Sequence, residues 1–304
     1  MSLPRGAGVW RRVRAARGLA ARIRIHPLFL ALAAGAVYAG LWQDLLVLFA
    51  LVMLHELGHA ATAEALGYEV EEITLLPFGG VAKLGRGGLG FEPRHEALIA
   101  VAGPAVNLAL LACAAGMHAL GLWSDGYFHR VSQWNLWIVT FNLLPGLPLD
   151  GGRILRAARS RVLGYEAATR EAYHMALGLA VMLFLLGAAA LWAGYPHLGM
   201  LVLGLFLFVT AWAGRRDLSM ETIRFLDAKR RQVHGRPEVI RSLVVSRGTS
   251  IRDVVRRFAP DRYHLIYVRD DHGAVSAVVE EDELLQAVFE GRWLEPVGDW
   301  LDRT

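Results

Sequence analysis

Residues 51–62 read LVMLHELGHAAT, and three side chains in this apolar run carry chemistry: His55, Glu56 and His59. On a helix turning about 100° per residue, the two histidines lie roughly 40° apart and one turn along the axis, so both imidazoles can reach one metal ion. Glu56 is offset toward the neighbouring face, where water at the metal would sit. This is the H-E-x-x-H spacing, with neutral imidazoles as zinc ligands and the carboxylate as general base. In an apolar span each ionisable side chain costs on the order of 2.5–3.5 kcal/mol, so such residues line a cavity and have a task. Histidines that only bonded neighbouring helices would leave Glu56 without a reason.

Catalytic zinc takes three protein ligands and keeps a fourth position open. The best source of the third is FNLLPGLPLDGGRIL, residues 141–155, in which Asp150 is the one carboxylate. Pro145 and Pro148 forbid a regular helix there, and Gly151 and Gly152 permit unusual backbone angles. Irregular backbone at membrane depth is tolerated only where it is buried or lines a wet cavity.

The elements that position these residues are long apolar runs. Of 304 residues 55% are hydrophobic, which points to a membrane protein. Apolar stretches and their punctuation give six spans: Pro27–Trp42, Leu45–Leu66, Ala97–Trp123, Val131–Leu144, Ala172–Trp192 and Leu198–Trp212. Lysine and arginine crowd alternate connections, at 5–24, 83–94, 153–170 and 215–216, while the loops near 43–44, 124–129 and 193–197 have none. By the positive-inside rule both termini are cytoplasmic. The same bias accounts for the net charge of +4 without nucleic acid. A basic stretch of about 26 residues before the first span is long for a signal peptide. The single cysteine, Cys113, excludes an intrachain disulfide and reads as a helix-packing residue. GRGGLG, residues 85–90, satisfies a dinucleotide-binding pattern only formally, since no βαβ unit surrounds it.

His55-Glu56-Leu57-Gly58-His59, together with the run from Asn142 through Pro145, Pro148 and Asp150 to Gly151, resembles the site-2 protease family of intramembrane zinc metalloproteases. AGPAVNLAL, with Gly103, Pro104 and Asn107, resembles that family's third-span segment. The resemblance covers roughly residues 20–215. It implies one Zn2+ held by His55, His59 and Asp150, with Glu56 activating the water that attacks a peptide carbonyl. It also implies that Asn142 and Pro148 lie beside the metal and help hold the substrate strand. The substrate would be a transmembrane or membrane-associated protein cut near the cytoplasmic face of a bacterial cell membrane. Residues 70–84 read as strand, Gly-Gly turn, strand, and the family implies a membrane-associated hairpin that pairs with extended substrate.

From Arg215 onward the composition turns charged and mixed. The expected organisation is a basic N-terminus at 1–25, an intramembrane metalloprotease domain at 26–214, a linker at 215–240 and a soluble domain at 241–304. The soluble part reads β-α-β-β-α, with Thr249 or Ser250 capping the first helix and Asp271–Gly273 forming a tight turn; it resembles a single CBS motif. CBS motifs pair, which implies self-association. Positions that meet ribose and phosphate in nucleotide-binding CBS modules align here with Glu280 and Glu283, whose charges disfavour a nucleotide. The fold class expected is therefore an α-helical polytopic membrane protein of about six spans, with a membrane-associated β-hairpin, plus a small α/β CBS-like domain. That layout resembles the stage IV sporulation protease FB subgroup, which processes a membrane-associated pro-sigma factor, and inhibitory membrane proteins are partners it would allow. A CBS-gated metal transporter would need ionisable positions along several spans, and the third, fifth and sixth have no acidic residue in their interiors. A noncatalytic, metal-stabilised scaffold is the third reading.

Overall fold

The computed structural model of the chain describes residues 23–25, 33–35, 37–68, 70–76, 79–84, 92–195, 198–231 and 239–303. Most described residues are helical, and the chain divides into two compact units, residues 1–87 with 98–143 and residues 88–97 with 144–304.

The first unit carries a three-stranded sheet, β1 (Ile23–Ile25), β2 (Val70–Leu76) and β3 (Gly79–Leu84), in that order. β1 runs parallel to β2, and β3 antiparallel to it. Gly79 and Gly80 pair with Leu76 and Leu75, so they open β3; the expected Gly-Gly turn belongs instead to the strand. Residues 85–90 lie outside the described residues. Among its described residues this unit also carries α1 (Trp42–Ala65), most of α2 (Pro93–Ala119) and α3 (Asp125–Asn142), with helical residues at 33–35 and 37–38 before them. α1 buries Leu51, His55, Glu56, His59, Ala60 and Ala63, a single face at helical spacing. A Cβ on Gly58 would come within 2.8 Å of Val106 Cγ2 and 3.0 Å of the Ala102 carbonyl oxygen, so α1 and α2 approach almost backbone to backbone, as small residues allow in helix pairs. Near the start of α1, Asp44 accepts the Trp134 indole N–H at 3.1 Å and pairs with Arg130 at 3.3 Å, which anchors α3.

The second unit begins with α4 (Asp150–Leu163), α5 (Tyr165–Trp192) and α6 (Leu198–Arg230). Ala168, Ala172, Ala176 and Ala180 recur every fourth residue and are buried, making a small-residue seam along α5. A Cβ on Gly204 of α6 would meet the Ala180 carbonyl oxygen at 3.0 Å. Beyond them lie β4 (Ile240–Ser246), α7 (Ile251–Val255), β5 (Tyr263–Arg269), β6 (Val275–Glu280), α8 (Glu281–Phe289) and α9 (Val297–Leu301). β4 and β5 are parallel and β5 and β6 antiparallel, giving the expected β-α-β-β-α order. Ser250 caps α7 by accepting the Asp253 N–H at 3.2 Å, and Gly273 takes the positive φ of the β5–β6 turn. Glu280 and Glu283 spend their carboxylates on a capping box for α8.

Among the described residues four helices are long and apolar enough to cross a bilayer: α1, α2, α5 and α6. They cover the second, third, fifth and sixth expected spans. The fourth corresponds to α3, of 18 residues; of the first, residues 33–35 and 37–42 are described, with helix at 33–35 and 37–38 and a turn at 39–40 before α1 begins. Large apolar side chains such as Leu46, Leu54, Leu108, Phe184, Leu185 and Leu205 are exposed on these helices, the arrangement expected where lipid is the solvent. Residues 215–230, expected within a linker, continue α6 and carry Phe225 and Leu226 into one core with Tyr165, Phe258, Ile266 and Leu284.

Candidate metal centre

His55 and His59 face one another from successive turns of α1, with Nε2 atoms 3.1 Å apart. Each ring is held from behind. His59 Nδ1 lies 2.6 Å from the Ile99 carbonyl oxygen, which can only accept, so that nitrogen carries the proton. His55 Nδ1 lies 2.6 Å from Asn107 Oδ1, and the Asn107 amide in turn donates to Asn135 Oδ1 at 2.5 Å. Both asparagines are fully buried. With protons committed at both Nδ1 atoms, neutral imidazoles present their lone pairs at Nε2. Two lone pairs at 3.1 Å call for a positive centre against both.

The space beside those nitrogens exists because residue 103 is glycine: a Cβ there would sit 2.7 Å from His55 Nε2 and closer still to His59 Nε2. Glu56, next to His55 on the same buried face, is 6% exposed.

Asp150 is the first residue of α4 and is also 6% exposed. The preceding loop is packed so tightly that it has no freedom to wander. Gly146 admits no Cβ, since one would lie 2.7 Å from Ala176 Cα, and a Cβ on Gly152 would lie 2.5 Å from the Gly146 carbonyl oxygen. The Leu147 N–H donates to the Ala172 carbonyl at 3.3 Å, and the Leu149 N–H to that of Gly146 at 2.9 Å. Further along α4, Arg156 bonds Glu96 through Nε at 2.8 Å and Nη2 at 2.5 Å, and Glu221 through Nη1 at 2.9 Å. Burial opposes its charge, but Glu96, Tyr165 and Glu221 outweigh that and hold the Arg156 pKa well above its ordinary value.

His55 and His59 belong to the first unit and Asp150 to the second, and together they carry the donor set expected from the sequence. Two imidazole nitrogens and a carboxylate are a donor set that zinc takes, with bonds of about 2.0–2.2 Å. The locked tautomers and the opening left by Gly103 fit that ion, and the Nδ1 partners are the outer hydrogen bonds that orient metal-binding histidines. Asn142 is half-buried and donates to the Ile138 carbonyl at 3.1 Å within its own helix, while Pro148 is exposed after a cis Leu147–Pro148 bond. Sequence reasoning misses Asn135 altogether.

The profile of peptidase family M50 matches residues 43–123. A solved site-2 protease from Methanocaldococcus jannaschii shares 32% identity and aligns with a TM-score of 0.52, covering 64% of this chain and 90% of that one. The chain belongs to the M50 family of site-2 proteases. A curated relative, a zinc metalloprotease from the same archaeon, is 33% identical over 60% of this chain, which spans 52% of that relative's length. Stage IV sporulation protein FB of Bacillus subtilis is 29% identical over 88% of this chain and 91% of its own. Within the M50 match lie both histidines, Glu56, Gly103 and Asn107, whereas Asp150 lies beyond it.

Proposed function

We propose that this chain is an intramembrane zinc endopeptidase that cuts a transmembrane or membrane-associated protein near the cytoplasmic face. The observation that carries this reading is the His55–His59 pair, with both Nδ1 atoms committed and both Nε2 atoms turned toward one opening. His55, His59 and Asp150 are the ligands. Zinc, when bound, polarises the scissile carbonyl and brings the pKa of water toward about 7.

Glu56 takes the proton from the attacking water and returns it to the leaving amine. Its place beside His55 on the buried face keeps bulk water from competing for that proton. Asn142 and Pro148 hold the substrate strand. A helical substrate hides its peptide bonds in backbone hydrogen bonds, so it unwinds locally before cleavage and carries helix-weakening residues near the cut. Among the described residues β3 is an edge of the three-stranded sheet, and an edge strand can accept extended substrate by strand addition. The β-α-β-β-α region serves as a CBS-like module through which two copies associate, and both termini face the cytoplasm. A membrane-associated pro-sigma factor is the substrate favoured by the likeness to the sporulation protein.

The test co-expresses this chain, unaltered and as Glu56→Gln, with a tagged pro-sigma factor and follows the tag by gel mobility. Cleavage by the first and not the second supports the full proposal. If neither cuts while the purified protein holds zinc that Asp150→Ala loses, the sporulation-type substrate falls and the zinc site stands. Absence of zinc from the unaltered protein overturns the metal reading.

A further inference from the structure

Away from the metal centre, the start of α5, the middle of α6 and the residue following α7 enclose a cavity of about 320 Å³ lined by Glu166, Arg170, Arg215, Leu218, Ser219 and Arg256. That volume falls within the roughly 300–1,000 Å³ of small-molecule sites. Its walls set three guanidiniums against one carboxylate. The Glu166 side chain is almost wholly buried, and its oxygens are divided between two arginines: Oε1 to Arg170, and Oε2 to Arg256 Nε at 2.7 Å. Glu166 thus fixes two guanidinium groups while satisfying only part of their five donors each. The Arg215 guanidinium has no hydrogen bond or ion pair among the described residues. An adjoining cavity of about 560 Å³ shares Glu166, Arg170 and Arg256 and adds Arg257, Thr249 and Ser250, with Asp253 as a second acid.

The position of this cavity along its helices narrows the ligand. Arg170 lies in the second turn of α5, whose apolar run continues to Trp192, and Arg215 follows Trp212, where the apolar run of α6 ends. The Arg216 guanidinium sits 5.2 Å from the Trp212 ring centroid. Tryptophan and arginine at the ends of apolar helices mark headgroup level. Below Arg170 and Arg215, Met175, Val209 and Trp212 are exposed apolar surface.

We propose that this cavity binds the phosphate of an anionic phospholipid headgroup through Arg170, Arg215 and Arg256, with acyl chains lying along α5 and α6. Guanidinium forks match phosphate oxygens in bidentate fashion, and the excess positive charge favours a ligand carrying net negative charge. The bound lipid joins the ends of α5 and α6 to the loop after α7, so it couples bilayer composition to the C-terminal sheet.

The experiment reconstitutes the full zinc-loaded chain in nanodiscs of phosphatidylcholine with and without phosphatidylglycerol and measures retained lipid by native mass spectrometry. Retention does not depend on proteolysis. The unaltered chain keeps phosphatidylglycerol in preference to phosphatidylcholine. Arg215→Gln breaks no pair among the described residues and keeps the fold, and it weakens that preference roughly tenfold, as the loss of a charged donor predicts. Arg231→Gln, which removes an exposed arginine outside the cavity, leaves it unchanged. Equal retention of the two lipids overturns the proposal, as does a preference that survives Arg215→Gln. Inorganic phosphate that displaces phosphatidylglycerol completely in detergent overturns the lipid source in favour of a soluble phosphate.

Discussion

Replacing Gly103 with alanine tests the metal centre without touching a ligand. The new methyl would lie 2.7 Å from His55 Nε2, about 0.7 Å inside the 3.4 Å at which ordinary contact begins, and closer still to His59 Nε2. Neither ring can retreat cheaply, because each Nδ1 is pinned by a 2.6 Å hydrogen bond whose loss would leave a buried polar group unsatisfied at about 1–3 kcal/mol. Metal sites tolerate about 0.2 Å in bond length, far less than the displacement required. Loss of an outer hydrogen bond alone costs roughly 10–100-fold in affinity, so displacement of both ligand nitrogens costs at least about 100-fold, close to 2.7 kcal/mol. The helix itself should gain, since alanine is favoured over glycine by about 1 kcal/mol in a helix interior. Zinc competition against a chromophoric chelator, with circular dichroism on the same sample, separates these effects. Unchanged helicity with affinity lowered at least a hundredfold is the expected outcome. Affinity within twofold of the unaltered chain would refute the claim that the two Nε2 atoms and the opening at Gly103 form the site.

Three further outcomes follow from the geometry. Asn135→Leu removes the acceptor that orients the Asn107 amide, so zinc affinity falls roughly 10-fold and Asn135→Gln recovers part of it; chelator competition on both variants checks this. Arg156→Leu strands the buried Glu96 carboxylate and costs about 3–5 kcal/mol, seen as a lower thermal midpoint in detergent; an unchanged midpoint would contradict the pairing. His264 accepts the Ala259 N–H at Nε2 (3.1 Å) and places Nδ1 2.5 Å from buried Glu281, so it is neutral when folded, and desolvation, only partly offset by Glu281, lowers its pKa from the usual 6.5. The unfolded chain therefore binds the proton first, stability is full above about pH 6.5 and falls as pH drops below it, and hydrogen exchange over residues 240–303 should accelerate there in the unaltered chain but not in His264→Gln.

The proposed metal ligands are legible in the sequence because their spacing and setting are local. Two histidines one turn apart with a glutamate between them stand out against leucine and alanine, and Asp150 is the lone acid among prolines and glycines. Asn135 is not legible: its partner Asn107 lies 28 positions away, and only the packing of α3 against α2 joins them. The continuation of α6 is masked by charge. Arg215, Arg216 and Asp217 look like the start of a linker, yet Leu218, Thr222, Phe225, Leu226 and Lys229 are buried at helical spacing. That face needs the C-terminal sheet to cover it, and no local signal announces a partner so far along the chain. The Gly-Gly pair misleads for the opposite reason, since glycine suits a turn but also an edge strand, and only the register of β2 with β3 decides between them.

The most direct test of the central claim follows cleavage of a fluorogenic transmembrane peptide in proteoliposomes by the unaltered chain and by Glu56→Gln, with zinc content measured on both. One zinc per chain is expected in each, with a rate roughly 10²–10⁴-fold lower for the variant, the span of general acid–base catalysis. Equal rates in the two proteins, or cleavage that persists after the metal is stripped, would contradict that claim.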